Sequence, residues 1–323
     1  MDRAKVEDVL VGGGSEGLPG VRLSIGDASA VIALFGAHVV SYRSGKESGE
    51  VLFMSDLAVK DGSKPIRGGI PLVFPQFGSG KLMDTSHGFA RRSTWRRIPA
   101  AEIGSPLIER EVAHVVSCFE LLPSDIDEKF RDVWPKCFRL RYLVTLTEGS
   151  LTTELFVRNE DAKTDFEFQA LLHTYLNVDN IANVCVRGAE ASSYVDQLRG
   201  GEMMPPAASP ITFQSETDRI YVHPDSELSV EESAANQRTL VKTWLHQRAP
   251  KDASWKKNVC NCVVWNPWIA KSKRMSDFGN EEYKRMLCVE PGCVAKWHVC
   301  KAGDECVLGQ EIRPLPPIVN NML

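Results

Sequence analysis

The chain of 323 residues lacks any apolar run of the roughly 18–20 residues that a membrane-spanning helix needs. It also lacks a surplus of positive charge. Its 38 Lys and Arg stand against 42 Asp and Glu, for a formal net charge of −4. That balance excludes a chain-wide basic field of the kind that holds nucleic acid or an anionic membrane, so any anion site must be a local cluster of arginines. The 9 cysteines are odd in number, and several sit in apolar stretches such as Cys262-Val263-Val264 and Cys288-Val289. Free cysteine behaves there as a small hydrophobe, and no disulfide framework is expected. None of the cysteines from Cys260 to Cys306 makes a C-x2-C pair, and no histidine repeats at a ligand spacing, so no metal is expected. Gly12-Gly13-Gly14-Ser15 is followed by no Lys-Ser/Thr and has no strand–loop–helix frame, which reads as a flexible lead-in and not as a phosphate loop. The opening residues lack the basic-then-apolar order of a signal peptide, and the closing Asn320-Asn321-Met322-Leu323 is no peroxisomal address. The expected location is the cytoplasm, with an organelle left open.

Helical periodicity is scarce too; its best candidate is the polar stretch Ala270 to Met286. Strand patterns dominate instead. Val21, Leu23 and Ile25 fall on one face, and Ala30 to Phe35 is a short apolar run that Gly36 ends. Phe138 to Leu146 alternates with period two, Glu148-Gly149-Ser150 turns the chain, and Leu151 to Val157 alternates again. Two such runs around a glycine turn predict a hairpin. Phe166 to Val178, Arg219 to Val222, Val259 to Val264 and Cys306 to Ile312 also read as strands. Many short strands with turns between them predict an all-β sandwich or barrel. The expected organisation is a lead-in over 1–20, one β domain over 21–315 and a tail over 316–323.

Four segments could carry chemistry. Residues 65–78, PIRGGIPLVFPQFG, hold three prolines and three glycines and cannot form an ordinary central strand. Arg67 beside two glycines could present paired donors to a phosphate or carboxylate at close backbone approach, or could be a solvated arginine on a stiff loop. His87-Gly88-Phe89-Ala90-Arg91 again sets an arginine near a glycine, now with a histidine. Arg67 and Arg91 could clamp one dianion if the fold brings their loops together. His173, inside the apolar run LLHTYL, must find a partner or be costly to bury; it is either a satisfied core histidine or a general acid facing a pocket. Glu290, between an apolar strand and Pro291-Gly292, is either solvated at a strand end or held in a site where burial can tune it. Asp218 and the tryptophans of Trp265-Asn266-Pro267-Trp268 are weaker signals, and the tryptophans read as mainly structural.

Taken together and in order, RGGIPLVFPQFG (67–78), HGFARRSTW (87–95), LLHTYL (171–176), ETDRIY (216–221), VVWNPW (263–268) and CVEPG (288–292) resemble the hexose-6-phosphate mutarotases of the aldose 1-epimerase superfamily. The likeness spans roughly residues 20 to 313 and leaves 120–136 and 246–258 poorly matched. It implies a large antiparallel β-supersandwich of galactose mutarotase type with a concave sugar-binding face. It further implies that His173 is the general acid on the ring oxygen and Glu290 the base at the C1 hydroxyl. Arg67 and Arg91 would take the 6-phosphate, Asp218 would bind sugar hydroxyls, and His87, with Ser86 and Gln76, would lie along the site. Ser86 stands where relatives often have glutamine, which puts that one contact in doubt.

Such a reaction opens the pyranose to the aldehyde, rotates about C1–C2 and closes on the other face. It needs one acid and one base and no metal or redox cofactor. The expected partner is a hexose 6-phosphate and the expected state a monomer. Two other readings stay open: a galactose-type mutarotase acting on unphosphorylated aldoses, and a non-catalytic sugar-phosphate binder on the same fold.

Overall fold

The computed structural model describes residues 4–12, 17–45, 49–99, 112–207, 209–234, 237–252 and 254–315. Alternation in the sequence becomes alternation in burial. In the strand Phe138–Leu146, Phe138, Leu140 and Tyr142 are buried while Arg139 and Arg141 are half-buried. It pairs antiparallel with Leu151–Asn159 from Leu146 opposite Leu151, the hairpin expected around Gly149. These two strands lie within a ten-stranded sheet that also holds Gln237–Arg248 beside Glu305–Leu315. A second sheet of eight strands runs through Thr217–Tyr221, Asn261–Asn266, Met286–Cys300, Phe166–Leu172 and Leu72–Val73, with Tyr175–Asn177 also on Met286–Cys300. A four-stranded sheet, from Lys5–Val11 to His38–Arg43, completes the set among the described residues. The pairings are antiparallel, and one apolar cluster draws on all three sheets. No helix among the described residues is long and apolar enough to cross a membrane.

The eight- and ten-stranded sheets face each other, and a small polar bridge links them. Thr174 Oγ1 lies 2.9 Å from Gln310 Oε1, and Gln310 Nε2 donates to Thr153 Oγ1 at 3.3 Å. The segment 71–77 is anchored by aromatic packing. The Phe74 ring meets Phe89, Trp134, Phe138 and Phe168 at centroid distances of 5.4–5.8 Å. Gly88 makes one of these contacts possible: its φ is +70°, and a Cβ there would lie 2.0 Å from the Phe74 carbonyl oxygen.

Three expectations change. The supposed lead-in contains a strand, Lys5–Val11, paired with Leu18–Ile25. It is an edge strand whose Lys5, Glu7, Asp8 and Leu10 are exposed, so it lacks the buried alternation that marks interior strands; Gly13 to Ser15 lie outside the described residues, as does the tail over 316–323. The run from Phe166 to Val178 is two strands interrupted at His173-Thr174. Ala270 to Met286 is no single helix but a short helix Trp268–Ser272 and a 3-10 turn Glu282–Arg285. Glu282 accepts from the amides of Gly279 and Asp56, which ties the 3-10 turn to the 55–57 segment.

Phe74→Ala should cost about 3–5 kcal/mol of stability in urea denaturation, the range for deleting a fully buried aromatic ring. A loss under about 1 kcal/mol would mean that the surrounding rings collapse into the space and do not depend on Phe74.

Candidate functional site

The site begins with strand register. Leu171 lies opposite Gly292, and Tyr175 opposite Cys288. The two ladders share one register, so His173, between them, falls opposite Glu290. The ladder opens there because the His173 N–H donates to Pro71 O at 3.0 Å. Side chains two apart on a strand share a face, so Cys288 and Glu290 point the same way. Neighbouring strands extend the row: Cys288 is opposite Trp265, which is opposite Asp218.

His173 Nδ1 and Glu290 Oε2 are 3.3 Å apart. The approach is off-line for a hydrogen bond, and neither atom has a hydrogen-bond partner among the described residues. Both side chains are buried, Glu290 at 1% exposure. Such unpaired buried atoms cost stability unless a ligand completes them. Burial, reinforced by Asp218, pushes the Glu290 carboxyl well above the usual carboxylate range; Arg91 and a hydrogen bond with the Cys288 thiol oppose this. Burial, reinforced by His87, Arg91 and Arg67, pulls His173 well below the usual imidazole value. The His173 ring is held flat against Tyr175, with centroids 4.7 Å apart and planes 6° apart, and meets Trp265 edge-on at 5.8 Å.

The two arginines are brought to this pair. Arg67 donates to Tyr175 Oη at 3.1 Å and to both Asp277 carboxylate oxygens at 3.2 Å. Burial disfavours its charge, but Tyr175 and Asp277 more than offset that. Arg91 has no carboxylate hydrogen bond among the described residues; its Nη2 donates to Ser86 O at 2.9 Å. Burial, with Arg67 and Arg92 adding to it against Tyr175, brings its guanidinium down to about 10, so it stays charged at neutral pH. The Nε atoms of both arginines have no hydrogen-bond partner among the described residues. His87 has a φ of +62°, and its Nδ1 accepts from the Gly78 amide at 3.2 Å. That leaves the proton on Nε2. Its ring stands edge-on to His173 at 5.7 Å, and burial followed by the field of Arg91 and Arg67 keeps it neutral. Asp218, at the far end of the row, pairs with Lys271 at 3.5 Å.

Two expected contacts do other work. Gln76 is turned inward: its Nε2 donates to Met83 O at 2.6 Å and its Oε1 accepts from the amides of Leu82 and Met83. It holds the 78–85 loop and leaves no free group for substrate. Ser86 is exposed, and its carbonyl positions Arg91. With Thr85, Arg92, Ser93, Asp125 and Lys129 it lines a cavity of about 740 Å³ that neither His173 nor Glu290 reaches. Sequence reading missed Tyr175, Cys288, Asp277 and Lys271. Period two from His173 and from Glu290 points at Tyr175 and Cys288. Asp277 and Lys271 lie in the irregular 268–285 region, where no periodicity singles them out.

The Glu290 proton makes a stability prediction. A carboxyl raised on folding adds stability that is complete below the ordinary carboxylate range and is lost as pH rises through the raised value. Glu290→Gln resembles the protonated acid at every pH. The stability of the native chain relative to this variant should therefore fall as pH rises above the ordinary carboxylate range, measured by urea denaturation at each pH. A constant difference would mean that Glu290 titrates as it does in the unfolded chain.

Comparison with known proteins places this geometry. The aldose 1-epimerase family model matches residues 20–313. A Cenchrus ciliaris protein provisionally named glucose-6-phosphate 1-epimerase is 35% identical over 281 residues, covering 85% of this chain and 78% of its own. An Escherichia coli K12 protein with the same provisional name is 30% identical over 285 residues, covering 88% and 86%. The crystal structure of a Salmonella typhimurium protein provisionally named a mutarotase superposes with a TM-score of 0.74 at 26% identity, over 92% of this chain and 90% of that one. A galactose mutarotase related enzyme from Lactobacillus acidophilus shares the fold, with a TM-score of 0.66 at 16% identity. With a family model spanning nearly the whole β structure and relatives matched along most of their length, the chain belongs to the aldose 1-epimerase family and is an isomerase of that family.

Proposed function

We propose that the protein interconverts the α and β anomers of a hexose 6-phosphate, glucose 6-phosphate in the first instance. The observation that carries this reading is the convergence of Arg67 and Arg91 on the buried His173–Glu290 pair. In a chain of net charge −4, two buried guanidinium groups beside an acid–base pair suit a dianionic substrate.

The proton count fits the reaction. Burial shifts both groups toward their neutral forms, Glu290 upward and His173 downward. Turnover needs the charged distribution of the proton, imidazolium on His173 and carboxylate on Glu290. The arginine field opposes the imidazolium. A bound phosphate dianion neutralises that field and so favours the working ion pair. Glu290 then takes the proton from the C1 hydroxyl, His173 gives one to the ring oxygen, and the C1–O5 bond breaks to leave the aldehyde. After rotation about C1–C2 the roles reverse and the ring closes on the other face. Asp218 would accept from sugar hydroxyls, and the Nε2–H of His87 would donate toward the phosphate side.

The purified protein should accelerate α–β equilibration of glucose 6-phosphate, followed by NMR exchange or a β-specific coupled dehydrogenase. No acceleration by folded protein would sink the reading. Glu290→Gln should lower the rate by about 10²–10⁴-fold, the usual worth of one positioned base; full activity would remove Glu290 from that role. Arg91→Ala should raise KM for glucose 6-phosphate roughly 10- to 100-fold, the worth of one charged hydrogen bond, and leave free glucose or galactose little affected. Equal losses on both would favour the unphosphorylated aldoses instead.

A further inference from the structure

Cys288 has no place in the proposed reaction, yet it is fully buried within the same knot of groups. The ligand atoms of His173, Cys288 and Glu290 all lie within 4.8 Å of one another. Cys288 and Glu290 share a face two residues apart on one strand, and His173 projects from the strand opposite. The Nδ1 of His173 and the Oε2 of Glu290, more than nine-tenths buried, have no hydrogen-bond partner among the described residues.

We infer that His173, Cys288 and Glu290 form a binding site for a single thiophilic divalent cation of the zinc class, and that its occupancy shuts off the acid–base pair. Ligand type selects the metal class: one imidazole, one thiolate and one carboxylate suit Zn²⁺ or Co²⁺ and are a poor set for Mg²⁺ or Ca²⁺. Zinc bonds of about 2.0–2.3 Å put tetrahedral ligands roughly 3.3–3.8 Å apart, so small side-chain rotations from the present spacing close the site. Three protein ligands leave the fourth position to water. Charge also balances, because a divalent cation, a thiolate, a carboxylate and a neutral imidazole sum to zero, which a buried site favours. Binding releases the thiol proton and any proton held by Glu290 to solvent. Asp277 already pairs Arg67 and Lys271 pairs Asp218, so the charge that opposes the cation is Arg91, and the two anionic ligands must outweigh it. The metal would occupy the Glu290 oxygen and the His173 nitrogen that otherwise exchange protons. It is thus an inhibitor of the site and not a cofactor.

The inference rests on the geometry of the three side chains and is tested without turnover. Metal-free full-length protein is titrated with Co²⁺ under reducing conditions. The expected result is one equivalent bound, with tetrahedral visible bands and a thiolate-to-cobalt charge-transfer band in the near ultraviolet, all displaced by Zn²⁺. Cys288→Ser should lose the charge-transfer band and weaken binding by roughly tenfold or more, since even outer-sphere changes cost that much. Glu290→Gln, which keeps the side-chain shape, should weaken binding similarly and serves if Cys288→Ser does not fold. Absence of the bands in the native protein overturns the inference, as does a charge-transfer band retained in Cys288→Ser or undiminished affinity in Glu290→Gln. Because the readout is spectroscopic, its failure leaves the mutarotase reading untouched, and failure of glucose 6-phosphate turnover leaves the metal result standing.

Discussion

The site depends on one constraint of the sheet, the register that sets His173 opposite Glu290. The two residues are 117 positions apart in the chain, and an antiparallel ladder is what makes them neighbours. A slip of one residue in either strand would turn its side chain to the other face and break the pair. The strands resist that slip, because Leu171, Leu172, Leu287 and Val289 are fully buried on both faces and a slip would displace them all from their packing. The register also carries Cys288, Tyr175, Trp265 and Asp218 into one lateral row, so the acid–base pair arrives with its neighbours already chosen. Chemistry in this protein is therefore a property of strand pairing first and of individual side chains second.

Burying an acid and a base with unpaired atoms works against stability, and the surroundings show how this is contained. Burial shifts each group toward its neutral form, where the desolvation cost is least. Ring contacts from Tyr175 and Trp265 fix the imidazole without satisfying its nitrogen. The arginines follow a related scheme. Arg67 is oriented by Tyr175 and Asp277 and Arg91 by the Ser86 carbonyl, yet each keeps an Nε with no hydrogen bond among the described residues. Polar groups held in place but left incomplete are preorganised for a ligand that brings the missing charge. The wide aromatic and aliphatic core beneath, anchored at Phe74, supplies the rigidity that this incompleteness requires.

Much of the fold was legible because buried strands write period two into the sequence: Phe138 to Leu146 and Leu151 to Val157 read as a hairpin and fold as one. The edge strand Lys5–Val11 was not legible, because an edge carries charges that mask alternation. His173 and Glu290 were each equivocal alone, since a buried histidine is usually just paired, and only the order of several segments turned that judgement. Gln76 was placed along the site by the resemblance alone; nothing local reveals that its amide closes onto Met83. Asp277, which holds Arg67, sits in irregular chain 210 residues away and leaves no periodic trace. Cys288 was read as a small hydrophobe and packs in the core as one, with the acid–base pair beside it.

That double character follows from how such sites are built. An apolar strand hides a functional side chain well, because the features that make a residue look like core, namely burial and a place in the alternation, also make its chemistry strong. Low polarity around Glu290 raises its proton affinity toward the range where a base can work at neutral pH. The same surroundings give the Cys288 thiol its high proton affinity and keep it inert as a nucleophile, while leaving it able to bind a cation that repays the charge. A site that leaves acid and base incomplete for a sugar is incomplete for any other species that offers matching charge. Selectivity then falls to the arginines, which attract a dianion and repel a cation, and to the Asp277 carboxylate that decides how much of that positive field is left.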